Sequence, residues 1–306
     1  MKLTTLFRLL VCGCLIGLGA GVVRAGEAED ALAAGNAAVD RRDYDAAIAS
    51  YGALIRLQPQ DPAGYYYRGT VYAQKQDWAA AIKDYSTSLR LNPDSPGTQV
   101  KRALAHGNLK DFDRAFTDAD AAVRLNPRSA EAICLRGAIH AERGETADAL
   151  ADFNLSLQVD PNYSYVYAIR GRWYQDRGED GLAAKDLTDF LRLNPDDENA
   201  LNNIAWLLAT SPDQTIRNGA KALLYADKAC DLTHWKNAGY IDTLAAVYAE
   251  IGDFEEAVKW QQKAVELMPK GERAEELALH LKLYQEKQPY HEPAKPKSGQ
   301  GGVRIN

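Results

Sequence analysis

The chain has 306 residues, 46% hydrophobic and 25% charged, with a formal net charge of -6. That composition belongs to a folded protein, as two ordinary domains or one extended array, and excludes a disordered chain. The acidic balance, unrelieved by any basic run, excludes charge-driven binding to nucleic acid or anionic lipid.

The first 25 residues carry only basic charges, Lys2, Arg8 and Arg24, so the remainder is more acidic still. Lys2 and Arg8 precede an apolar stretch over residues 9–23, and Val23-Arg24-Ala25 resembles a cleavage site. Residues 1–25 therefore read as a secretory signal, with Gly26 first in the mature chain and a periplasmic or extracellular destination. The alternative is a retained N-terminal membrane anchor. A spanning helix needs about 20 apolar residues, and this stretch is shorter and glycine-rich. Cys14 sits in a poor lipobox. Once the signal is removed, no membrane insertion is expected. Cys12 and Cys14 would leave with the signal, while Cys134 and Cys230 fall in different repeats without metal-ligand spacing. They are expected to stay reduced and packed.

Self-comparison dominates the rest. Pro59, Pro93, Pro127, Pro161 and Pro195 recur every 34 residues, and Ala47, Ala81, Ala115, Ala149 and Ala183 keep step. Gly35, Gly69, Gly137 and Gly171 share another position, with Ala103 in the middle slot, and Tyr51, Tyr85 and Phe153 follow three of the alanines. Each unit reads as two amphipathic helices joined by a tight turn. In the second unit these cover residues 63–73 and 78–91, with Lys75-Gln76-Asp77 between them and Asn92-Pro93 closing the second helix. A single hairpin cannot bury its apolar face, so neighbours must stack.

On these residues the chain resembles the tetratricopeptide repeat family, whose pattern puts Gly or Ala eighth, Tyr eleventh, Ala twentieth, an aromatic twenty-fourth and Pro thirty-second. The resemblance implies an all-α fold, a right-handed superhelical solenoid of about seven helical hairpins with a C-terminal capping helix. The array spans residues 26–270, with repeats at about 28–61, 62–95, 96–129, 130–163, 164–197, 198–237 and 238–270. The sixth and seventh units leave strict register, with a longer loop over residues 211–219. Residues 271–288 are expected to form the cap, and the Pro-, Lys- and Gly-rich residues 289–306 a disordered tail.

Two further patterns stand out. Arg68, Arg102, Arg136 and Arg170 occupy the seventh position of units two to five, and Asp84, Asp118, Asp152 and Asp186 occupy the twenty-third. Units one, six and seven lack both, which predicts an ion pair between the helices of each hairpin rather than a stripe gripping an acidic ligand. His106 and His140 share position eleven of adjacent units, too far apart to share a zinc ion, and replace the family's Tyr. No phosphate loop, nucleophile elbow or paired helical histidines appear, so no catalytic residue, cofactor or metal is expected.

The resemblance implies that the first helices line a concave groove holding partner peptides. The groove candidates are Tyr66, Thr70, Leu104, Tyr165, Arg172, Asn202, Trp206 and Asp242, an aromatic and polar set suited to contact. The clamp with which some family members hold a carboxylate terminus is missing, since Leu32, Tyr67 and Gly97 stand where three of its residues belong. The expected function is a non-catalytic protein–protein scaffold or adaptor of the bacterial cell envelope, with possible self-association. The alternative is a regulatory subunit of an envelope enzyme complex, or a membrane-tethered assembly factor if residues 1–25 are retained.

Overall fold

The computed structural model describes residues 26–268 and 270–295, and the expected signal segment lies outside them. Among the described residues there are fifteen helices and no strand. No helix among them is long and apolar enough to cross a membrane. The chain divides into two compact units, residues 1–155 and 156–306.

The first unit holds α1 (26–40), α2 (Tyr44–Leu57), α3 (Pro62–Gln74), α4 (Trp78–Leu91), α5 (Pro96–Asn108), α6 (Phe112–Leu125), α7 (Ala130–Glu142) and the start of α8 (Thr146–Val159). The second holds the end of α8, then α9 (Ser164–Asp176), α10 (Asp180–Leu193), α11 (Glu198–Thr210), α12 (Gly219–Leu232), α13 (Ala238–Glu250), α14 (Phe254–Leu267) and α15 (Glu272–Gln285). Within each unit a first helix packs on its own second helix and on the next hairpin, as α3 does on α4 and α5 and α11 on α12 and α13. The fold is all-α, seven hairpins in chain order with α15 following the last.

Local chemistry sets the helix ends. Asp43, Asp77, Asp111 and Asp253 each accept a hydrogen bond from an amide in the first turn of α2, α4, α6 and α14. One residue before the cap, Arg42, Gln76 and Lys110 adopt φ near +60°, and Gly144 and Gly178 take the same place in later hairpins. The turn thus needs a left-handed residue that glycine alone adopts freely.

Close packing explains the small-residue ladder. A Cβ on Gly69 would lie 3.0 Å from the Tyr85 ring, and one on Gly35 would run into the ring of Tyr51. In the third hairpin Ala103 is tolerated because residue 119, facing it, is Ala rather than aromatic, and both are fully buried. Tyr51, Tyr85 and Phe153 are buried beside the alanines that complete the core.

The α15 helix buries Leu277, His280 and Tyr284. One expectation needs correction. Residues 289–295 are not a disordered tail. Tyr290 packs into the cluster formed by Ala245, Ala246, Ala249 and Tyr284, and Glu292 hydrogen-bonds to α11. An aromatic ring and a half-buried carboxylate give this segment the contacts that its Pro and Lys content concealed. Residues 296–306 lie outside the described residues.

Candidate functional site

The four Arg–Asp pairs meet in one geometry. Arg68 Nε and Nη2 donate to the two carboxylate oxygens of Asp84 at 2.7 and 2.8 Å. Arg102 does so to Asp118 (2.7 and 2.6 Å), Arg136 to Asp152 (2.8 and 2.8 Å) and Arg170 to Asp186 (2.8 and 2.8 Å). Two parallel bonds fix the guanidinium plane as well as the charge. The aspartates are buried, the arginines half-buried. Hydrogen bonding to the carboxylate raises the pKa of Arg68, Arg136 and Arg170, against the opposing effect of burial.

Two arginines of the first unit also reach back to the preceding hairpin. Arg102 Nη1 donates to Ser86 Oγ at 3.1 Å, and Arg136 Nη1 to Asp120 Oδ1 at 2.9 Å. Each therefore ties its own hairpin together and joins it to its predecessor. The sixth and seventh hairpins replace the pair with Ile204 and Leu244, both buried.

The groove candidates divide into four groups. Tyr66 lines a cleft of about 310 Å³ with Tyr67, Ser88, Asn92 and Thr98, at the junction of α3, α4 and α5. Beside it the Thr70 hydroxyl donates to Tyr66 O (2.9 Å) and accepts from Tyr85 (3.3 Å). Leu104 (38%), Tyr165 (66%) and Arg172 are exposed. Asn202 is half-buried, with its side-chain oxygen inside. The last two are not open groove residues. Asp242 is 3% exposed and accepts from Gln261 Nε2 and His280 Nδ1, both at 2.8 Å, because α15 covers its position. The Trp206 indole donates to Glu292 Oε1 at 2.6 Å and packs near Tyr290 and His280, because the chain after α15 returns across it.

Tyr290, Glu292 and His280 were missed by sequence reasoning, which assigned them to a tail and a plain cap. His106 is buried, and desolvation lowers its pKa. Cys134 and Cys230 are buried free thiols, which burial pushes up to about 12. Among the described residues, His140, Glu145 and Asp148 are the one group with ligand atoms near enough for a metal. His140 Nδ1 lies 2.5 Å from Glu145 Oε2, which is a hydrogen bond; two ligands each about 2.0 Å from one tetrahedral ion stand farther apart.

The sequence profile of the tetratricopeptide repeat matches residues 32–96, 100–164 and 239–270, more than half of the chain. The chain belongs to the tetratricopeptide repeat family. Solved structures share the fold. A tetratricopeptide repeat protein from Parabacteroides merdae is 19% identical, covers 85% of this chain and 99% of its own, and has a TM-score of 0.55. YrrB, described as a tetratricopeptide repeat protein with an unusual peptide-binding site, is 19% identical over 66% of this chain and 98% of its own, with a TM-score of 0.53. Yeast Tom70 is 18% identical over 79% and 50%, with a TM-score of 0.55. No curated protein matches the chain. Such repeats are protein-interaction scaffolds, and here the scaffold is braced by paired Arg and Asp.

Arg170 is the least exposed arginine of the ladder at 12%, and Asp186 is 2% exposed. Asp186→Ala is expected to cost about 3 kcal/mol by removing the guanidinium's buried bidentate partner, whereas Asp45→Ala, at an exposed pair with Lys75, should cost far less. Urea unfolding measures both. Equal costs would show that the ladder does not brace the hairpins.

Proposed function

We propose that the chain is an exported adaptor of the cell envelope, which holds partner proteins or peptides on the faces of its first helices and contributes binding rather than chemistry. The observation carrying this reading is the open aromatic surface. Tyr66 borders a cleft large enough for a side chain, and Tyr165 stands 66% exposed on a first helix. A large aromatic held on a rigid helix gives contact area at little conformational cost. A described peptide-binding site in YrrB and a described hetero-tetramer of Cut9 with Hcn1, both on this fold, are in keeping with such a role. Export rests on the charge and apolar pattern of residues 1–25, which suits a cleaved signal.

The expected partners are other proteins, with no nucleic acid. The acidic balance supports that exclusion.

Affinity purification of the full chain from its native envelope, read by mass spectrometry, tests the reading. A discrete partner should be enriched by the wild-type chain and lost from a Tyr66→Ala, Tyr165→Ala variant of unchanged helical content. The same preparation should yield a mature N-terminus at Gly26. Capture that ignores both tyrosines overturns the groove reading, and a start at Met1 overturns export by cleavage.

A further inference from the structure

The segment after α15 behaves as a ligand of its own unit. Lys287 takes φ +57° and the Gln288 amide donates to Leu283 O at 2.9 Å, which turns the chain back. The segment then crosses three consecutive first helices. At the end of α13, His291 Nε2 meets Glu250 Oε2 at 2.8 Å. On α11, the Glu292 amide donates to Thr210 O at 2.8 Å while its carboxylate takes the Trp206 indole N–H. On α9, Lys295 Nζ donates to Gln175 O at 2.8 Å. Between these contacts the Tyr290 ring lies 4.3 Å from that of His280 and 5.8 Å from that of Trp206.

These are the contacts an extended peptide makes. Thr210 O sits in a last turn, where helix carbonyls lack an internal partner, and the C-terminal end of α9 at Gln175 favours a cation like Lys295. The aromatic fills an apolar slot, and the carboxylate two positions on answers a half-buried indole donor. None of these contacts belongs to the repeat, since Pro, Ala and Gly positions of the hairpins are satisfied without them. Space also remains beside the segment, in a cleft of about 220 Å³ lined by Arg172, Asn203 and Trp206 among others.

We propose that the face formed by α9, α11 and α13 is a peptide-binding site for an extended segment with an aromatic residue and, two positions later, a carboxylate. Residues 290–295 occupy it in cis until a partner of the same chemistry displaces them. This rests on the interaction-module reading above. Tethering gives the segment an effective concentration of about 1 mM, so a free peptide at micromolar concentration does not displace it.

The test uses the full chain and a fluorescein-labelled synthetic peptide with the sequence of residues 287–295, followed by anisotropy. A Tyr290→Ala, Glu292→Gln chain should bind the peptide about tenfold or more tighter than wild type, because a larger fraction of its sites is open. Binding should vanish when the peptide's own Tyr is replaced by Ala, or when Trp206→Ala is added to the chain. Equal affinity for both chains overturns the proposal. Should the double variant lose helical content, Glu292→Ala, which removes the acceptor of the indole bond, decides alone. It keeps the Tyr290 packing, and it too must bind the peptide more tightly than wild type. A wild-type chain that sediments as a dimer, with the variant a monomer, puts the segment on a second copy and overturns occupancy in cis. Because the peptide is defined, failure here with envelope capture intact sinks this proposal alone. Loss of capture with peptide binding intact sinks only the adaptor reading.

Discussion

Two helix backbones can lie side by side in each hairpin only where one side chain shrinks to make room for another. Gly35 faces the ring of Tyr51, Gly69 that of Tyr85 and Gly137 that of Phe153. Where the ring is replaced by Ala119, the facing residue grows to Ala103. A side chain on one helix is admitted only where the facing one leaves room, as a close-packed interior requires. Once that contact forms, the caps and turns close the hairpin, and the apolar face left over must be covered by the next. The first helices are then displayed in series along each unit, and a surface of that kind is what an elongated partner can read.

The Arg–Asp ladder adds a second constraint on the same geometry. It is bidentate in all four hairpins that carry it, and at Arg102 and Arg136 it also reaches the helix before. Removing one partner of such a pair leaves a buried charge without its main counter-ion, which costs more than the intact pair contributes net. The last two hairpins hold Ile204 and Leu244 instead, and there the buried polar cluster is Asp242, Gln261 and His280. The end of the array is thus fixed by its cap, and the middle by its ladder.

How much of this was legible in the sequence follows from the range of each signal. The hairpins and their pairing could be read because the repeat states each rule several times, and the ladder because Arg and Asp come and go together. The left-handed turn was harder to see. Three hairpins place Arg42, Gln76 and Lys110 there, and only the later ones show glycine. The returning segment was illegible. Trp206 and Glu292 are 86 residues apart and Gln175 and Lys295 are 120, so no local pattern links them. Composition alone then pointed to disorder. Asp242 was assigned to the groove by its place in the repeat, a rule that fails where a cap replaces the next hairpin.

The dependence of the fold on small-residue contact is tested most directly at Gly35 and Tyr51, by urea unfolding of Gly35→Ala, Tyr51→Ala and the pair. In the wild-type background Gly35→Ala should destabilise, because the new methyl meets the ring. In the Tyr51→Ala background the same change should stabilise by up to about 1 kcal/mol, the helix preference for Ala over Gly. Such a reversal of sign is a coupling between the two sites. Costs that simply add, with Gly35→Ala equally damaging in both backgrounds, would contradict the account.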